Sequence, residues 1–264
     1  MHILKWELKA NLKSLIIWSV IFVALIFMMT SEFSAYYDNP EILDIMNAMP
    51  ESLMKAFSMD SANLTTAVGY VSVVSLYFYL MASVFAILLG TNIISKEERD
   101  KTAEYLMVMP ISRERIILSK IMASLINCLI LILVVISATI ISMRPYALDA
   151  LFYDFMWLMT QSMFFSMMLF LSIGMLLASI LRRYKSSGKI SASLLVFLYF
   201  LSILTTLSDK IEFLKIFTPF KYFEAKDLIA NGHLDLTYVI ISLCVIIASF
   251  VGTFYIYPRR DLHL

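Results

Sequence analysis

Charged side chains are scarce in this chain of 264 residues, of which Asp, Glu, Lys and Arg make up 16 %. A typical soluble domain carries about 25 %. Hydrophobic residues make up 61 %, which leaves too little charge to cover the surface of a water-soluble protein. An intrinsically disordered chain is excluded as well, since it needs low hydrophobicity and high net charge. We therefore expect an integral membrane protein.

Other shortages exclude further classes of protein. Two cysteines are too few for a secreted disulfide scaffold, and a net charge of +1 does not suit a nucleic-acid-binding protein. The three histidines, His2, His233 and His263, lie far apart and have no metal-ligand spacing. The pair Gly188-Lys189 lacks the upstream glycine and the following Ser or Thr of a P-loop. We predict that the chain is not an enzyme and binds no metal or other cofactor itself.

In place of charge, the sequence has six long uncharged runs. Each is long enough to cross about 30 Å of hydrocarbon as a helix, which takes roughly 18–20 residues. The predicted spans are residues 14–31, 66–94, 121–143, 155–181, 190–208 and 236–258. Their interiors hold no Asp, Glu, His, Lys or Arg, which disfavours an independent ion-coupled carrier or channel. The fold class is predicted as all-α, a single transmembrane domain over residues 1–264.

The distribution of basic residues predicts the orientation of the spans. If the N-terminus is cytoplasmic, 15 of the 21 Lys and Arg residues fall on the cytoplasmic side. This is the bias that multi-pass membrane proteins show. Both termini are therefore predicted to be cytoplasmic, and we call that side of the protein inner and the opposite side outer.

Two segments outside the spans have an amphipathic or aromatic character. In residues 1–13, Leu4, Leu8 and Leu12 form one stripe beside three lysines, which predicts a helix lying on the inner membrane surface. Residues 209–235 carry several aromatic side chains around Pro219 and end in a helical turn at Asn231-Gly232. We expect this second segment to form an outer, half-inserted hairpin between the fifth and sixth spans.

The inner loop, residues 96–120, differs from the other loops because it holds six basic and five acidic residues. A topology signal requires only the basic ones. Pro110 interrupts the loop, and Ser112 can cap a helix that begins at Arg113. Its chemistry fits either a docking surface for a cytosolic protein or an ordinary solvated loop.

This loop resembles the first inner loop of the permease subunits of type-2 ABC transporters. That family commonly has an acidic cluster, then Gly-Thr-x-Glu-x-Leu-Leu, then Pro-(Val/Ile)-Ser-Arg, a short helix and Lys. The chain has Glu97-Glu98, Thr102-Ala103-Glu104-Tyr105-Leu106-Met107, Pro110-Ile111-Ser112-Arg113 and Lys120, with Lys101 where the family usually has Gly. Thr218-Pro219-Phe220 and the tail Arg259-Arg260-Asp261-Leu262 are similar to two further family segments, so the likeness covers nearly the whole chain.

The resemblance implies a six-span bacterial exporter subunit in the cell membrane, with a cytoplasmic coupling helix between spans two and three. The implied coupling residues are Glu97, Glu98, Thr102, Glu104, Pro110, Ser112 and Arg113. The implied outer-hairpin residues are Pro219, Phe220, Tyr222 and Phe223. The implied partners are cytosolic ABC ATPase subunits, which would hold ATP and Mg, a second permease copy or paralogue in a homo- or heterodimer, and membrane lipid.

Efflux of a peptide, antibiotic, lipid or ion is the function that the resemblance implies. A membrane-embedded immunity, sensor or scaffold protein, which binds a ligand without transporting it, is the alternative. Nothing in the sequence identifies the substrate or the residues that bind it.

Overall fold

A computed structural model describes residues 2–50, 54, 63–100, 102, 112–181, 184–207 and 209–259. The regular structure of these residues is helical, without β-strands. The α-helices are α1 (His2–Tyr36), α2 (Pro40–Asn47), α3 (Ala67–Arg99), α4 (Arg113–Met143), α5 (Ala150–Ile180), α6 (Tyr184–Leu207), α7 (Ala225–Asn231) and α8 (Leu236–Ile256). Three 3₁₀ segments cover Asp209–Phe217, Pro219–Lys221 and Tyr257–Arg259.

Six of these helices, α1, α3, α4, α5, α6 and α8, are long and apolar enough to cross a membrane. The 33 residues of α3 correspond to roughly 50 Å of helix, so its ends extend beyond about 30 Å of hydrocarbon. The prediction of an all-helical, multi-pass membrane protein is thereby confirmed.

The helices α3 and α5 form the centre of the bundle and are its most buried spans. They meet at two reciprocal glycines. A Cβ atom on Gly90 of α3 would lie 2.3 Å from the carbonyl oxygen of Leu171, and one on Gly174 of α5 would lie 2.4 Å from that of Ile87. Small residues at such positions let two membrane helices approach closely enough for backbone-to-backbone contact.

The other spans pack around this central pair. Helix α1 packs mainly against α4, α8 against α5, and α6 against α3. Buried hydroxyl groups join α3 to α6, since the Thr91 Oγ1 atom donates to Ser191 Oγ at 3.0 Å and the Ser95 and Ser187 hydroxyls lie 3.3 Å apart. Because lipid offers no competing hydrogen bonds, such polar contacts help to select the helix partners.

The prediction of a separate surface helix over residues 1–13 is wrong. Residues 2–13 are the first turns of α1, which runs without interruption from His2 to Tyr36. This part of the chain contains neither glycine nor proline, the residues that most readily break a helix. In addition, the buried Glu7 side chain is bound to lysines of α3 and α4.

The bounds of the inner loop also differ from the sequence-based expectation. Helix α3 continues to Arg99, so residues 96–99 belong to the helix rather than to a loop. Helix α4 begins at Arg113, as predicted, but the Ser112 side chain makes no capping hydrogen bond. Helix α7 ends at Asn231, and Gly232 follows with φ of 69°, a left-handed conformation that glycine adopts without strain.

We expect Gly90→Ala to destabilise the protein, because its Cβ atom would collide with the backbone of α5. Overpacking of this kind typically costs about 1–3 kcal/mol. The matched control is Gly188→Ala in α6, where a Cβ atom meets nothing within 4 Å and the helix gains up to about 1 kcal/mol in propensity. Thermal unfolding in detergent measures both, and equal unfolding temperatures for the two variants would contradict the close approach.

Candidate functional site

The residues predicted to couple the chain to an ATPase lie at or between the ends of α3 and α4. Glu97 and Glu98 are in the last turn of α3, Thr102 follows the helix, and Ser112 and Arg113 mark the start of α4. Glu104 and Pro110 lie outside the described residues, as does the predicted coupling helix. The two helix ends can therefore be described in detail, and the helix predicted between them remains a prediction.

Glu97 does not face water, contrary to the expectation of a solvent-exposed loop. Its carboxylate accepts a hydrogen bond from Lys120 Nζ of α4 at 2.5 Å. The same ammonium group donates to Glu7 Oε1 of α1 at 3.1 Å and to the carbonyl oxygen of Ile93 at 2.6 Å. Lys120 thus uses all three of its N–H donors on buried acceptors from two neighbouring helices.

A second lysine completes this arrangement. Lys96 Nζ donates to the other oxygen of Glu7, Oε2, at 2.5 Å, and lies 3.8 Å from the centre of the Trp6 ring. We call Glu7, Lys96, Glu97 and Lys120 the ion-pair cluster. Its two carboxylates and two ammonium groups balance in charge and join the inner ends of α1, α3 and α4.

The cluster is buried. The exposed fractions are 0 % for Lys120, 1 % for Glu7, 2 % for Glu97 and 7 % for Lys96. Taking such charges out of water is unfavourable unless each finds a partner, and removing one partner leaves an uncompensated charge. Within the described residues, Glu97 Oε2 is buried without a hydrogen-bond partner. Loss of the Lys120 ammonium group would therefore remove the hydrogen bond that the Glu97 carboxylate accepts through Oε1.

Three members of the ion-pair cluster, Glu7, Lys96 and Lys120, were not predicted as site residues. The sequence signal was present but weak: Lys96 and Lys120 directly flank uncharged runs, and Glu7 is the only acid among the lysines of residues 1–13. Lys96 and Lys120 were counted as topology signals, Lys120 also matched the lysine of the family's loop motif, and Glu7 fell in the predicted surface helix. Their pairing spans about 90 to 110 positions of sequence, which no local pattern reveals.

Both ends of the inner loop are attached to the bundle by further hydrogen bonds. The Thr102 amide donates to the carbonyl oxygen of Glu97 at 2.9 Å. Arg113 Nη1 donates to the carbonyl oxygen of Pro258 at 2.5 Å, which connects the start of α4 to the segment after α8. The helix ends that flank the loop are therefore joined to the bundle and, through Glu97 and Lys120, to each other.

The predicted outer-hairpin residues lie at the other end of the bundle, where two 3₁₀ segments and α7 pack against the spans. Tyr222 and Phe223 are buried, and the ring of Phe220 lies 5.0 Å from that of Phe170 of α5. Pro219 begins the second 3₁₀ segment. The hairpin thus covers α5 with aromatic side chains, while its depth in a membrane remains a prediction.

The Tyr222 hydroxyl group connects two parts of the hairpin. The Tyr222 hydroxyl donates to the carbonyl oxygen of Ile216, and its ring stacks on Tyr238 at 4.9 Å. Burial, followed by the neighbouring Tyr238, raises the pKa of Tyr222 to about 12. The phenol consequently keeps its proton, and with it this hydrogen bond, throughout the physiological pH range.

A small cleft lies beneath the hairpin, between α3, α5 and α6. Hydroxyl-bearing side chains line much of it, and Lys221 and Glu224 of the hairpin, which form an ion pair, lie at its edge. Among the described residues, no group of His, Cys, Asp or Glu side chains could hold a metal ion.

We expect Lys120→Met to destabilise the protein by about 3–5 kcal/mol, because Glu7 and Glu97 would be left buried with one cation between them. Adding Glu97→Gln restores the charge balance, since Glu7 keeps Lys96. The double variant should therefore be more stable than Lys120→Met alone.

A double-mutant cycle measured by unfolding in detergent tests this coupling. Lys9→Met, which removes an exposed lysine from the same end of α1, is the matched control and should have little effect. Additive effects of Lys120→Met and Glu97→Gln would contradict the cluster.

A known family of membrane proteins matches this chain, in agreement with its six apolar helices. The sequence pattern of the ABC-2 family transporter proteins matches residues 1–262 of the chain, and no curated protein sequence matches it. The match covers the six spans, the inner loop and the outer hairpin together. The resemblance to type-2 ABC permeases is thus confirmed, and the chain belongs to the ABC-2 family of membrane transporter proteins.

Proposed function

We propose that this chain is the transmembrane subunit of an ATP-driven exporter, in which a separate cytosolic ATPase docks on the inner loop and drives efflux. The chain is an ABC-2 transporter subunit in the cell membrane, and members of this family associate with an ABC ATPase. The proposal adds the docking surface, the path of coupling and the direction of transport.

The ion-pair cluster is the observation that carries the proposal. The inner loop connects the end of α3, which carries Glu97, to the start of α4, which carries Lys120. These two side chains bind each other directly. Glu7 then attaches α1 to both. A push on the loop would therefore reach three helices as one unit, which is the property that a coupling element needs.

The path continues from the cluster into the centre of the membrane. Helix α3 carries Glu97 at one end and, about two turns away, Gly90, which touches the backbone of α5. Because the packed interior is dense, a displacement of α3 must move or repack α5. A second copy of this permease or a paralogue, together with the two ATPases expected of the family, would supply the rest of the transporter.

Glu104→Lys should abolish recovery of the ATPase when the full chain is pulled down from native membranes, because it reverses a charge in the proposed docking surface. Losing a desolvated interfacial charge pair typically costs about 2–5 kcal/mol. Glu41→Lys, the same reversal in α2 on the predicted outer side, should leave the ATPase bound.

Two other results would contradict the proposal. If ATPase binding survives charge reversal throughout residues 97–113, the docking surface is elsewhere. If no ATP-hydrolysing protein accompanies the wild-type chain, the alternative of a membrane sensor or immunity protein is favoured instead.

The double variant Lys120→Met/Glu97→Gln tests the path rather than the docking surface. It should still recover the ATPase, because the loop between the helices is unchanged, but the permease-dependent part of ATP hydrolysis should fall several-fold. Gly188→Ala serves as the control with a full response. Normal permease-dependent hydrolysis in the double variant would remove the cluster from the coupling path.

A further inference from the structure

The cleft beneath the outer hairpin is narrow. Helices α3, α5 and α6 form its walls, and its volume is about 40 Å³. One buried water molecule requires about 10–15 Å³ of such space, so the cleft has room for roughly three of them. A drug-sized ligand needs a pocket several times larger. Size alone therefore restricts the occupant to water or to one group of a few atoms.

Four hydroxyl groups in the lining have their protons engaged by the backbone. Ser72 and Ser75 of α3 donate to carbonyl oxygens of their own helix at 2.7 and 2.6 Å. Ser202 and Thr206 of α6 do the same at 2.6 and 2.9 Å. A hydroxyl oxygen that donates still has two lone pairs. Toward the cleft, these four groups are therefore hydrogen-bond acceptors.

Ser166 of α5 contributes a hydroxyl group of the opposite kind. It lines the cleft and is only 8 % exposed, and within the described part of the chain its hydroxyl has no hydrogen-bond partner. Ser162, one turn earlier on the same helix, donates to the carbonyl oxygen of Leu158 at 2.8 Å. A buried hydroxyl without a partner is unfavourable. Ser166 therefore requires an acceptor inside the cleft.

The charges at the edge of the cleft are already paired. The Lys221 ammonium group is bound to Glu224, whose other carboxylate oxygen lies 3.6 Å from Lys226 Nζ. Such a set requires no counter-ion from a ligand. The lining as a whole thus fits a neutral molecule that accepts a hydrogen bond from Ser166 and donates to the hydroxyl oxygens. Water has both capacities and the right size.

We propose that the cleft is a binding site for a cluster of about three ordered water molecules, which bridge the hairpin to α3, α5 and α6. One water accepts from Ser166, and the cluster donates to the hydroxyl oxygens of α3 and α6. Hydrogen bonds through water can rearrange without leaving a buried group unpaired. The hairpin can therefore shift on the spans at this side. This site is independent of whether the inner loop binds an ATPase.

X-ray radiolytic footprinting of the full chain in mild detergent tests the site. Radiolysis of a bound water yields a hydroxyl radical that labels side chains beside it, even where bulk solvent is excluded. Phe223 lines the cleft and is 5 % exposed, whereas its neighbour Tyr222 is 6 % exposed and does not line it. Phe223 should be labelled several-fold faster than Tyr222. Equal labelling of the two rings would overturn the proposal.

Ser166→Val removes the unpaired hydroxyl and fills part of the cleft, so labelling of Phe223 should fall to the rate of Tyr222. Ser137→Val changes an exposed serine of α4 outside the cleft and should leave the labelling unchanged. Undiminished labelling in Ser166→Val would show that bulk solvent reaches Phe223 and would overturn the site. The wild-type comparison remains decisive if this variant does not fold. A detergent or lipid group in the cleft, seen in a high-resolution map, would also overturn it.

Discussion

A lysine ammonium group buried at the end of a membrane helix must find acceptors, and at Lys120 these come from two other helices. Glu97 and the Ile93 carbonyl are on α3, and Glu7 is on α1. Glu7 also binds Lys96, so the buried cluster holds two negative and two positive charges. Removing any one of the four would leave it with a net charge. The positions of α1, α3 and α4 at the inner end depend on this requirement, and so does the geometry from which the inner loop emerges.

Further contacts connect α3 and α4 to the other helices of the bundle. Gly90 and Gly174 hold α3 and α5 in backbone contact, while Thr91 and Ser95 connect α3 to α6. The Arg113 side chain links the start of α4 to the segment after α8. These contacts join the inner ends of α3 and α4 to the other helices of the bundle.

Local sequence patterns were sufficient for the large features and insufficient for the site. Uncharged runs predicted six spans because every helix in hydrocarbon must be apolar, and Asn231-Gly232 predicted the end of α7 because glycine suits the left-handed cap. The surface helix over residues 1–13 was wrong, since its stripe of leucines resembles that of a surface helix and the pairing of Glu7 with distant lysines is invisible locally. Glu97 was assigned to the inner loop rather than to the buried end of α3, because a charge beside a span is usually solvated.

The central claim is that the inner ends of α1 and α4 move as one unit when the ATPase acts. Lys9 of α1 and Leu118 of α4 are exposed positions that can carry spin labels. Double electron–electron resonance then measures the distance between the two labels in the permease–ATPase complex. The account predicts the same distance distribution without nucleotide and with ATP trapped. A distribution that shifts or splits on ATP binding would contradict it.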